Sequence, residues 1–240
     1  MTYRIKFDLE LDNLKLSLIK MSDLVIRNIH DALHSFLEMN TELAERIIKE
    51  DKLVNDFEYA IEKECMRIIL REQPVAKDLR LITSVLKMIT DLERIGDHAV
   101  DISKLTVFME KTDIPFKIKQ TRLMIETSEE MIRLALDSFV NKDISMAKEC
   151  IDKDDIIDDY FDEVKQVIVK AITEKNIEAD YALYLMMVAK YLERIGDHAV
   201  NLAEWVIFSI TGEFLRSLGF LRFEKSSSLI ALLILLAFFG

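Results

Sequence analysis

Three carboxylates recur at four-residue spacing in Glu93, Asp97 and Asp101, and a hundred positions later the pattern returns as Glu193, Asp197 and Asn201. On an α-helix that spacing puts the side chains on one face, so each set would form an acidic row. Like charges at i,i+4 repel by about 0.2–0.5 kcal/mol a pair on an exposed helix, and by more when partly buried. Something must neutralise them. Arg94 and Arg194, beside the rows, are one candidate; a hard cation held by oxygen ligands is the other. Upstream of each row, Asp51 with Asn55 and Asp154 with Asp158 repeat the same spacing. If these pairs lie on helices antiparallel to those of the rows, acidic faces meet and build a four-oxygen cage between helices. Such donors suit Mg²⁺, Mn²⁺, Ca²⁺ or iron and lack the thiolates that structural zinc usually takes. A solvated acidic face is the alternative that spacing alone leaves open.

Other chemistries find less support. Carboxylate-bridged di-metal oxidases need paired acid-x-x-His ligands, and the only such run, Asp31-Ala32-Leu33-His34, has no counterpart in the second half. No nucleophile, base and orienter can be read together, so catalysis is not expected. Before residue 212 the only glycines are Gly96 and Gly196, which leaves no room for a phosphate-binding glycine loop or a nucleophile elbow. Mid-helix glycine costs about 1 kcal/mol relative to alanine, so two such glycines at equivalent places predict a close helix approach. His98 and His198 follow the acids by one residue, about 100° around the helix, and are expected to hydrogen-bond at a helix interface instead of joining the rows. Cys65 and Cys150 stand alone, with neither disulfide nor zinc spacing, and read as buried reduced thiols.

The elements that must carry these residues are helices. Five glycines and two prolines in 240 residues fall far below the roughly 12 % of average usage and argue against a turn-rich β fold. Leu92 to Val100 reads LERIGDHAV, and so does Leu192 to Val200; Leu43 to Asp56 likewise resembles Met146 to Asp159. Duplication of a unit of about one hundred residues explains both. Leu11, Leu14, Leu18, Met21 and Val25 make a core-facing seam, as do Ile118, Ile125, Ile132 and Phe139 with Thr121, Ser128 and Ala135 between them. Cap residues around Asn40 and Asp143, and breaks at Pro74 and Pro115, divide the chain. The expectation is an all-α protein of two homologous antiparallel three-helix bundles, with helices over 4–38, 41–72, 75–111, 116–140, 143–174 and 177–211. The first repeat would span 1–112, the second 113–212, and an atypical tail 213–240. In that tail Leu229 to Phe239 is an apolar run of eleven residues, about 16 Å as a helix against the ~30 Å of a bilayer core. It is too short to span; a docked tail or a peripheral membrane contact helped by Arg216, Arg222 and Lys225 are the readings. The acidic N-terminal start has no apolar core of a signal peptide, and a net charge of −11 repels phosphate backbones, so nucleic acid is not expected as a partner.

Gln73-Pro74-Val75-Ala76-Lys77-Asp78-Leu79-Arg80, the two LERIGDHAV copies, and Asn201-Leu202-Ala203-Glu204-Trp205 after the second closely resemble the PhoU family, the accessory regulators of the phosphate-specific transport system. The resemblance covers about residues 8–212, duplication included. It implies a homodimeric cytoplasmic negative regulator of phosphate uptake and phosphate-responsive transcription, working at the inner membrane face without inserting. The implied partners are the ATPase subunit of the Pst phosphate transporter (PstB) and the phosphate sensor histidine kinase (PhoR). Family members can carry a metal ion, here iron, manganese, magnesium or zinc, on acidic motifs. These map onto Glu93, Asp97 and Asp101 and onto Glu193, Asp197, Asp154 and Asp158, with Asp51 as the remaining acid. Asn55 and Asn201 stand where acids would complete the pattern.

Overall fold

A computed structural model describes residues 2–109 and 118–213, with side chains from residue 5 onward. Seven helices follow in order: α1 (Thr2–Glu38), α2 (Thr41–Glu72), α3 (Ala76–Met109), α4 (Lys119–Asn141), α5 (Ile144–Asp152), α6 (Asp154–Thr173) and α7 (Ala179–Thr211). No strand occurs among the described residues. Helices α1 to α3 form one bundle and α4 to α7 the other. The two join along α3 and α7, with α1 also touching α4. Pro115 and the apolar run from Leu229 to Phe239 lie outside the described residues.

Local signals set the helix ends. Asn40 accepts a hydrogen bond from the Leu43 N–H at the start of α2, and Asp143 accepts from the Ser145 N–H at the start of α5, each satisfying a donor that the first turn leaves free. Gln73 closes α2 in the left-handed region (φ 45°) immediately before Pro74. The expected fifth helix, 143–174, is two: Lys153 interrupts it, its N–H shared between the Glu149 and Cys150 carbonyls at 3.3 Å. The segment Asp152-Lys153-Asp154-Asp155 explains the break. Aspartate is a poor helix-interior residue but favours a first turn, where it meets the positive end of the helix dipole. Lys153 Nζ is held by Glu130 of α4 at 2.9 Å. The corresponding α2 runs unbroken.

The seams pack as their periodicity demands. Leu14, Leu18, Met21 and Val25 of α1 are fully buried, and Ile125, Ile132 and Phe139 of α4 are buried with Thr121, Ser128 and Ala135 between them. One apolar core runs through both repeats. Leu92, Ile95 and Ala99 of α3 and Leu192, Ile195 and Ala199 of α7 are all wholly buried, so each third helix serves its own bundle and the junction at once. No helix among the described residues is long and apolar enough to cross a membrane.

Candidate functional site

In the first repeat, α2 lies close against α3 at Gly96. A Cβ there would sit 3.2 Å from Val54 Cγ1, which is the close approach predicted from a mid-helix glycine. That approach brings Asp51 of α2 beside the α3 row. Burial, then the charge of Asp97, holds the Asp51 carboxyl above the ordinary carboxylate range, with Asp101 adding to it. Burial and Asp97 push Glu93 up in the same way, with Glu58 and Asp51 contributing and Arg94 opposing. Arg94 bridges Glu93 at 3.4 Å and Asp97 at 3.1 Å, while Lys104 pairs with Asp101 at 3.2 Å. Asn55 donates to Asp51 at 3.4 Å. Glu58, absent from the sequence-derived set, belongs to this face: burial, then Glu62, raises its pKa, and Asp97 adds to the effect. Its place three residues after Asn55 on the same helical stripe was the available signal.

In the second repeat, α6 closes on α7 at Gly196, whose added Cβ would meet Ile157 Cδ1 at 3.0 Å and Asp154 Oδ1 at 3.6 Å. Asp154 is 5 % exposed and Glu193 9 %. Burial, then Glu193, pushes the Asp197 carboxyl up; Lys190 opposes this and Asp158 adds to it. The neutralising cation here is not the one sequence reading proposed. Arg194 forms no ion pair with this row, whereas Lys190 Nζ donates to Glu193 Oε2 at 2.5 Å and lies 5.4 Å from the Phe161 ring centre.

All eight predicted acids thus fall on two faces, one per repeat, with Asp51, Glu93, Asp97 and Asp101 on the first and Asp154, Asp158, Glu193 and Asp197 on the second. They line those faces without converging: among the described residues no three His, Cys, Asp or Glu side chains come together closely enough to hold a metal ion. Their chemistry nonetheless suits a hard cation, being all oxygen and mutually repulsive. Asp31 and His34 are elsewhere, bound to Arg46 at 2.6 Å and to Glu38 at 3.2 Å respectively.

The histidines occupy the α3–α7 junction, as expected of interface residues. His198 Nδ1 lies 2.9 Å from Asp91 Oδ1, and Asn201 donates to the same oxygen at 3.1 Å. His98 stacks on Tyr191, ring centres 5.4 Å apart, and its Nδ1 is buried without a partner. Burial and the neighbouring His198 push the His98 pKa down to about 4. Because Asp91 meets His198 while Tyr191 meets His98, α3 and α7 cross antiparallel. Cys65 and Cys150 are buried free thiols, each pushed up to about 12 chiefly by burial.

The sequence model of the PhoU domain matches residues 18–106 and again residues 121–206. The chain belongs to the PhoU family. The phosphate-specific transport system accessory protein PhoU homolog 1 of Thermotoga maritima is 35 % identical over 95 % of this chain and 98 % of its own. The PhoU homolog of Pseudomonas aeruginosa is 32 % identical over 92 % of this chain and 91 % of its own. The crystal structure of PhoU from Pseudomonas aeruginosa superposes with a TM-score of 0.83 at 32 % identity, covering 86 % of this chain and all of the other. The phosphate transport system regulatory protein PhoU from Streptococcus pneumoniae gives 0.81 at 29 % identity, covering 87 % of this chain and 99 % of the other. The matched domain occurs once per bundle, so in this PhoU-family protein the repeat seen in the residues, in the helices and in the family match is the same repeat.

Proposed function

We propose that this PhoU-family protein is a cytoplasmic negative regulator of phosphate uptake and phosphate-responsive signalling. It acts by protein contact as a homodimer at the inner membrane face, and its partners are the transporter's ATPase subunit and the phosphate sensor histidine kinase. It carries a hard metal ion on its acidic helix faces. The observation that supports the metal is the pairing of carboxylates across α2 and α3 and again across α6 and α7, where burial and mutual repulsion raise Asp51, Glu58, Glu93 and Asp197 together. Asp51, Glu93, Asp97 and Asp101 would hold it in the first repeat, and Asp154, Asp158, Glu193 and Asp197 in the second. A bound ion would supply charge neutralisation. The chain's own contribution is to keep the carboxylates of two helices on one face through the close packing at Gly96 and Gly196. The names of the relatives, accessory and regulatory proteins of phosphate transport, support a role without catalysis.

Capture of the full chain from phosphate-replete cells, with elemental analysis of the anaerobically purified protein, tests this reading. The ATPase subunit or the kinase should be recovered, and metal should be lost when Glu93→Gln and Glu193→Gln are combined. Recovery of neither partner overturns the signalling role, and metal content unchanged by the double substitution overturns the ligand assignment.

A further inference from the structure

At the end of the molecule where α7 finishes, the two bundles part to leave a groove of about 640 Å³ between α1 and α3 of the first and α4 and α7 of the second. Leu11, Ile19, Leu81, Phe139, Val140 and Ile210 line it. Its charges cancel. Lys15, Lys77 and Lys142 stand against three aspartates, and Lys15 is bound to one of them, Asp12, at 2.8 Å. Such a lining selects no charged ligand and suits an apolar one. The apolar surface also continues past the groove: Val140 is 54 % exposed, and on α1 Leu9 and Leu16, beside the lining residues Asp8 and Lys15, are 59 % and 48 % exposed. Seven positions apart, the two leucines share one helical stripe.

The chain leaves α7 at the same place. Ser209 and Ile210 of its last turns line the groove, and Gly212 ends the helix in the left-handed region (φ 82°), its N–H donating to the Phe208 carbonyl at 2.8 Å. Glycine adopts that conformation without strain. A Cβ there would stand 3.3 Å from the Arg80 side chain, so Glu213 departs beside α3 and the groove. Further along the sequence, Leu229 to Phe239 holds eleven apolar residues without a polar one. Leaving large apolar side chains in water costs about 1.5–3 kcal/mol each relative to burial, and the run is too short to span a bilayer. The fifteen residues between, 214–228, can reach as far as about 50 Å, more than the groove requires. A segment tied to its site meets it at a roughly millimolar effective concentration, an advantage that a free ligand lacks.

We propose that Leu229 to Phe239 is the occupant of this groove, docked from within the same chain, where it covers Val140 and the α1 leucines and ties the first bundle to the second. Apolar surface on both sides of the contact then leaves water together. The contact is independent of the metal reading above.

Disulfide trapping on the full chain tests it. Val140→Cys with Leu233→Cys should cross-link within one molecule, at a rate independent of protein concentration. Val169→Cys with Leu233→Cys should not, although Val169 is 63 % exposed, because it lies near the end of α6 that leads into the start of α7, at the opposite end of the bundle. The native Cys65 and Cys150 are buried, their thiols pushed up to about 12, and stay out of the exchange. Removing residues 214–240 should speed amide exchange in the N-terminal half of α1 and the last turn of α4 by about tenfold and leave α6 unchanged. Leu9→Asp with Val140→Asp, both at exposed positions that the fold tolerates, should do the same in the full chain and add nothing in the shortened one. Absence of the Val140 cross-link, equal yield at Val169, or exchange unmoved by the truncation overturns the proposal. Cross-links formed only between two chains overturn it by giving the groove to a second copy. Flotation of the full chain, but not the shortened one, with phosphatidylglycerol vesicles in the absence of either cross-link overturns it by giving the segment to a membrane surface.

Discussion

Leu92 to Val100 and Leu192 to Val200 are the same nine residues, yet the molecule gives them different neighbours at almost every polar position. His198 has Asp91 as its partner, and Asn201 shares that carboxylate; His98 has the ring of Tyr191 and no partner for Nδ1. Gly96 faces the branched Cβ end of Val54, and Gly196 the flexible tip of Ile157. Glu93 meets Arg94, and Glu193 meets Lys190. An identical motif is thus a fixed frame, and the residues opposite it decide what its ionisable groups do.

The largest expected difference is between the two histidines. His98 is held at about 4 in the folded protein against its ordinary 6.5. Between those values the unfolded chain binds more protons, so stability rises with pH across the window and is lost as pH falls from 6.5 towards 4. At about 1.4 kcal/mol per unit the loss approaches ~3 kcal/mol. The raised carboxylates Asp51, Glu58, Glu93 and Asp197 work in the opposite sense, since acidification through their range relieves repulsion in the folded state. Denaturant unfolding of the metal-free protein at several pH values should therefore show an acid loss that His98→Phe removes and that His198→Phe, which takes away only the lesser cause of the shift, reduces in part. Equal flattening by both would break the contrast.

A smaller effect should separate the groups facing the histidines. Asp91→Ala removes the acceptor that His198 and Asn201 share and should cost about 1 kcal/mol, the usual worth of a part-buried hydrogen bond. Tyr191→Phe keeps the stacked ring and should change stability by less than about 0.5 kcal/mol. Chemical denaturation of the two variants at neutral pH makes the comparison directly.

The smallest contrast is steric. Alanine gains about 1 kcal/mol of helix propensity over glycine, but its Cβ must fit against the facing helix. Val54 is stiff at χ1, so Gly96→Ala should destabilise by about 1 kcal/mol net, since overpacking costs more than propensity returns. Ile157 Cδ1 can rotate away, and Gly196→Ala should be close to neutral. Melting temperatures should then differ by a few degrees, and the reverse order would show that α6, not α2, is the more rigid partner.

Much of this could be read from the residues. The seam from Leu11 to Val25 appeared as a period because a helix with one buried face must repeat its apolar residues every three to four positions, and the caps at Asn40 and Asp143 appeared because side-chain acceptors there answer free N–H groups. The two glycines pointed to close packing through their cost in propensity alone. Glu58 falls outside the four-residue spacing that marks Asp51 and Asn55, although it lies on the same helical stripe. The break at Lys153 was written in a run of aspartates but hidden by the apolar period that continues through it. Lys190 and Asp91 were not legible at all, since each precedes its motif and acts on a group that only packing brings near.

The sequence by itself determined the helices, the duplication, the family and which faces are acidic, because these depend on residue type and on spacing along one helix axis. Tertiary structure alone decided how the rows are neutralised and how the histidines are paired. Those outcomes depend on which side chain the antiparallel crossing of α3 and α7, or the approach of α2 and α6, sets opposite each motif. Distances of a few ångströms between residues about a hundred positions apart control the Coulomb and hydrogen-bond energies involved, and no periodicity within a single helix encodes them.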